Sequence, residues 1–147
     1  MGSIDPTAQA AHRALRALFV EGRQPTRAEL EEATLPVYLG VLNAFFLNVM
    51  EAPFSGRESV EEVAGYFTSL QSRHRDLRGV DTSVMAVYTL CGIRGVPLPE
   101  TFPEMGARHV DWMGMLITAV AAENGIAGER LETYLLGSVA RYSMGDF

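Results

Sequence analysis

Apolar positions along this chain recur at helical rather than strand spacing. Over residues 6–21, Ala8, Ala11, Leu15, Leu18 and Phe19 fall on one face with Arg13 and Arg16 opposite, which is the period of an amphipathic helix. Asp5-Pro6 supplies an N-cap followed by proline at the first helical position, and Gly22 supplies a stop. Further stripes follow. Val63, Phe67, Leu70 and His74 lie on a helix read from 60 to 76. Val84, Val87, Tyr88 and Cys91, broadened by Met85, Leu90 and Ile93, lie on one over 82–94, behind Asp81 and ahead of Gly95 and Pro97. Met105, His109, Trp112, Met113 and Leu116 lie on one over 102–124, and Leu131, Tyr134, Leu135 and Tyr142 on one over 127–142.

Three capping boxes reinforce these starts: Thr26 with Glu29, Ser59 with Glu62, and Thr101 with Glu104. In each, the hydroxyl can accept from the third helical amide while the glutamate reaches back to the cap amide. Between the first two lies Leu35–Met50, which carries no charge and has Asn43 and Asn48 as its only strongly polar side chains. Sixteen helical residues rise about 24 Å against a hydrocarbon core of about 30 Å, so a membrane span is not expected. A helix apolar on every side needs protein around it. Pro36 either separates this helix from the acidic one before it or kinks a single long helix. Alternating runs between turn pairs are missing.

These elements predict an all-α fold, a single compact bundle of six or seven mostly antiparallel helices around residues 35–50, with one domain spanning 1–147. Residues 1–4 are read as loose or expression-derived. Gly2 could begin a myristoylation signal, but Pro6 stands where Ser or Thr is required. No charged start leads into an apolar leader, so the expected location is cytoplasmic.

Composition narrows the chemistry. Hydrophobic residues are 48% and charged ones 20%, a globular balance. The formal charge of −6, from 18 acidic and 12 basic residues, disfavours a nucleic-acid partner, which needs a positive face. All the basic residues are arginine, so no lysine can form a Schiff base. The one cysteine, Cys91, excludes an internal disulfide and multi-cysteine metal sites, and reads as a buried inert thiol.

Four groups of residues are candidates for function. His12, His74 and His109 each fall on the apolar stripe of their own helix and could converge on a transition metal; no HxxxH or HExxH spacing supports it, and a hydrogen-bonded boundary histidine is the ordinary alternative. Arg73, Arg75 and Arg78 around His74 could grip an anion through guanidinium forks, or simply complement the dipole of a helix C-terminus. Met105, His109, Trp112 and Met113, with His109 or Asp111 as polar anchor, could line a ligand pocket, although such residues usually fill a core. Asn43, Asn48 and Gly40 could fix close helix contact, within the chain or across a two-fold axis.

An inward His74 on a helix, followed by a short link and a further helix at Asp81, resembles the proximal-histidine corner of bacterial globins over residues 59–95. The resemblance implies haem held by His74. The chain departs from it in having too few residues ahead of His74 and a helix left over beyond Gly125. Two functions are therefore carried forward. The first is a non-enzymatic helical accessory or interaction protein, homodimeric or bound to another protein. The second is a small-molecule or cofactor-binding protein or enzyme, with haem or a transition metal as candidate cofactor, sited near His109 and Trp112 or near His74.

Overall fold

Local capping decides where most of these helices begin. A computed structural model describes residues 5–145, so the expectation for residues 1–4 lies outside the described residues. The described chain is all-α: seven helices, one short 3-10 turn and no strand. Helix α1 (Pro6–Phe19) opens on Asp5, whose carboxylate accepts from the Thr7 amide at 2.9 Å. That bond holds the Asp5 carboxyl below its ordinary range. Helix α2 (Arg27–Ala33) opens on the Thr26–Glu29 capping box, with bonds of 3.1 and 2.8 Å. Helix α4 (Val60–Gln71) opens on the Ser59–Glu62 box in the same way. Helix α5 (Thr82–Arg94) is capped by Asp81 and stopped by Gly95 in the left-handed region.

Helix α3 (Leu35–Met50) follows α2 directly. Of the two roles open to Pro36, separation is the outcome: α2 and α3 meet at 88°. A continuous helix would press the proline ring on the carbonyl four residues earlier. The turn is made at Thr34, with φ 63° and ψ 148°.

Two expected boundaries are corrected. Helix α4 stops at Gln71, and the chain enters a 3-10 turn (Arg75–Leu77) instead of continuing to residue 76. Leaving the helix buries Leu77 and Val80, and the Gln71 side-chain amide donates to both of their carbonyls at 2.8 and 2.9 Å. The third capping box does not form. Phe102 donates its amide to the Pro99 carbonyl in a turn, and helix α6 (Ala107–Glu123) begins only after Gly106. Helix α7 (Glu129–Ser143) completes the order.

The described helices group into two compact units: one runs to Asn48 and resumes at Gly125, and the other is Val49–Asn124. In the first, α1 packs on α2 and on α7. Phe19 meets Phe45 edge-on at 5.2 Å, and Arg16 donates to Glu132 at 2.7 Å. In the second, α4 packs on α5, while the 3-10 turn packs on α4 and α6. Phe54, Tyr66 and Phe67 meet edge-on there, with ring centres 5.1 to 6.2 Å apart.

Helix α3 does not meet the expectation of cover along its length. Val41, Leu42, Phe45, Phe46 and Leu47 are buried, whereas Leu35 in the first turn is 67% exposed. Among the described residues no single helix is long and apolar enough to cross a membrane; α2 and α3 reach that hydropathy only as the bent pair.

Candidate functional site

An open groove of about 420 Å³ lies at the corner where α2 turns into α3. Three stretches of the first unit build it: Leu18 from α1, Gln24 and Pro25 from the link, and Arg27 to Tyr38 across the corner. Its lining is mostly apolar, with Leu18, Leu30, Leu35 and the ring of Tyr38. The rim is polar: Arg27 Nε donates to Glu31 Oε1 at 3.0 Å, one helical turn apart. The groove lies where α2 departs from α3 at 88°, and Leu35 and Pro36 at the start of α3 are exposed there.

Its electrostatics come from fixed ion pairs. Arg23 clasps Glu29 through both terminal nitrogens, at 3.0 and 3.2 Å. The Arg23 fork, together with the Thr26 amide, holds the Glu29 carboxyl down at about 2. Arg13 reaches Glu32 at 3.3 Å. Among the lining residues, burial raises the Tyr38 phenol above its ordinary value. Thr34 is the only non-glycine residue with positive φ among the described residues. For a β-branched side chain this is a strained backbone in a region otherwise reserved for glycine.

The residues singled out in the sequence lie elsewhere. His109 is buried near the start of α6. Its Nδ1 accepts the Gly106 amide at 3.1 Å, so it serves as the cap that a glycine cannot supply. Its ring meets Trp112 edge-on at 5.1 Å and lies 6.4 Å from Phe102, which lies 6.3 Å from Tyr88. Burial pushes the Tyr88 phenol up to about 12. Met113 is buried; Asp111 is exposed, and Met105 stands exposed ahead of α6 rather than on it. These rings form a packed cluster with His109 already engaged.

His74 is corrected most. It lies beyond the end of α4 in extended backbone, φ −129°, rather than on a helical stripe, so the helix-borne histidine behind the globin resemblance is absent. Its Nε2 is 3.2 Å from Glu123 Oε1, the oxygen that Arg73 also contacts at 2.9 Å. These two partners, Arg73 foremost, lower the Glu123 carboxyl below its ordinary range. Arg73 therefore already faces an anion, while Arg75 and Arg78 stay exposed on the 3-10 turn and at its end. His12 faces Glu132, with Nε2 3.4 Å from Oε1. Each histidine thus has its own surroundings, and among the described residues no group of three His, Cys, Asp or Glu side chains could hold a metal.

Gly40 and Asn48 are used inside the chain. A Cβ on Gly40 would run into the ring of Tyr142, with Cδ1 only 2.8 Å away. Asn48 donates to Ser138 Oγ at 2.9 Å and accepts from Arg141 at 2.8 Å. Both contacts seat α3 on α7; Asn43 is also engaged in an interaction of its own.

Reasoning from the sequence missed the groove because it counted Leu18 and Leu35 as core and assigned α2 no role. One local signal was there: an apolar Leu35 just before Pro36, where a helix break leaves its first turn exposed. The chain matches no protein-family model, no curated protein and no solved structure.

Proposed function

We propose that this protein is a non-enzymatic helical interaction module that pairs with a second copy of itself through the groove, acting in the cytoplasm. The observation that carries the reading is Leu35, which lines the groove and yet is 67% exposed, beside Leu30 at 38%. A two-fold interface uses the same patch on both partners, so the patch has to present both a projection and a recess. Leucines projecting beside an apolar recess meet that requirement. The Arg27–Glu31 pair forms the polar rim usual around such a contact.

Light scattering over a concentration series tests it. The expected mass rises from one chain toward two, and Leu35→Asp holds it at one. A strict monomer at about 100 μM, weaker than a functional homodimer tolerates, would remove the reading.

A second reading has its own support. The volume of about 420 Å³ suits a small apolar ligand, and Tyr38 in the lining carries a hydroxyl that could give it one hydrogen bond. Saturable binding of such a ligand to a chain that stays monomeric would favour this alternative.

A further inference from the structure

The 3-10 turn after α4 holds its side chains on fixed lines. Leu77 and Val80 are buried, the Gln71 amide donates to both of their carbonyls, and the turn packs on α4 and α6. Leu77 donates its amide to the His74 carbonyl and Arg78 to that of Arg75, both at 3.1 Å. In a 3-10 turn, side chains three residues apart stand in register. Leu77 faces inward, so Arg75 and Arg78 share one outer line and Asp76 lies about a third of a turn away.

Many arginines of this acidic chain are spent on its own oxygens, as are Arg13, Arg16, Arg23, Arg27 and Arg94. Arg75 and Arg78 are exposed and bond to nothing among the described residues. Two nearby carboxylates are already taken: Glu123 by Arg73 and His74, and Asp81 by the Val84 amide. Like charges set side by side repel, and an anion between them turns repulsion into attraction.

His74 adds a third donor. Glu123, held below its ordinary range first by Arg73, is a carboxylate and can only accept. The His74 Nε2 therefore carries a proton and donates to it at 3.2 Å. Nδ1 bonds to nothing among the described residues and is not buried, so this edge of the ring meets solvent. In the imidazolium form Nδ1 also carries a proton and can donate outward. The charged groups around the ring are Glu123 from α6, Arg73 beyond the end of α4, and Arg75, Asp76 and Arg78 of the turn.

We propose that Arg75, Arg78 and the Nδ1 edge of His74 form a binding site for a phosphate group, carried by a small phosphate monoester or present as the free ion. The site lies within the second unit and stands independently of the groove. Guanidinium forks match the oxygens of a phosphate. Three donor groups suit its several oxygens better than the two of a carboxylate. The buried Leu77 and Val80 fix the backbone beneath, so little order is lost when the anion binds.

Amide NMR shifts of the full chain, followed as inorganic phosphate is added at about 20 mM salt, test the site. The amides of His74 to Gly79 should move along one saturating curve with a Kd near or below about 1 mM. Arg75→Gln and Arg78→Gln should each weaken it by about 10-fold or more, the worth of a charge-assisted bond. Both residues are exposed, so both variants should keep the wild-type melting temperature. Arg108→Gln, an exposed position at the other end of α6 from Glu123, should bind as the wild type does. Glycerol phosphate binding as tightly would identify the monoester as the ligand, and tighter inorganic phosphate the free ion. Sulfate keeps its double charge from about pH 6 to 8, so its affinity should fall over that range as His74 loses its proton. His74→Gln should bind sulfate without that pH dependence. Phosphate shifts that never saturate, or a loss in Arg108→Gln as large as in Arg75→Gln, would overturn the site. Sulfate affinity indifferent to pH in the wild type would overturn the part given to His74.

Discussion

Helix α3 is uncharged throughout, yet its two ends meet opposite environments. From Val41 onward its large apolar side chains are buried, with Phe45 and Phe46 at 0% exposure, whereas Leu35 stands 67% exposed. The difference comes from what precedes the helix. Thr34 sends α2 away at 88°, and Leu35 and Pro36 at the start of the helix are left exposed. The absence of charge announces that a helix needs cover; it does not say which end receives it from its own chain and which is left open.

The comparison can be broken from the covered end first. Phe45→Ala should cost about 3–5 kcal/mol in urea unfolding, the range for deleting a buried aromatic ring. A loss below about 1 kcal/mol would mean that this end is not packed as described. Asn48→Ala should cost about 1–3 kcal/mol, because it removes the oxygen that accepts from Arg141 and the amide that donates to Ser138. A neutral Asn48→Ala would show that water replaces the amide and that α3 is not seated on α7 there.

Acid titration addresses the corner between the two ends. The Glu29 carboxyl is lowered to about 2, first by the Arg23 fork. A depressed folded value stabilises at pH above the unfolded glutamate value of about 4.3 and is lost as pH falls toward the folded one. The stability difference between the wild type and Glu29→Gln should therefore be full at neutral pH and shrink between about 4.3 and 2. A difference independent of pH would exclude the clasp. The smallest effect belongs to the open end: Leu35→Ala should change stability by no more than about 0.5 kcal/mol, as surface substitutions do.

Much of the fold was legible because it is written in local chemistry. Asp5, Thr26, Ser59 and Asp81 cap helices where their residue types and spacing said they would. The signals failed where a tertiary demand outweighed a local one. Burial of Leu77 and Val80 draws the chain out of α4 before His74. A turn at Pro99–Phe102 pre-empts the Thr101 box and hands the capping task to His109. The groove was the least legible feature. It depends on the direction in which Thr34 turns, and a threonine in a glycine-like conformation leaves no mark in the sequence.

The most direct test is the thiol-labelling rate of Leu35→Cys in a Cys91→Ser background, followed against protein concentration, with Leu136→Cys as an exposed site on α7 outside the groove. The account predicts rapid labelling of position 35 at low concentration and slowing by about 10-fold or more once a second copy covers it, with position 136 unchanged. Labelling at position 35 that is slow even at high dilution would show that the first turn of α3 is covered by its own chain. Labelling that stays rapid at every concentration would show that no second copy binds there.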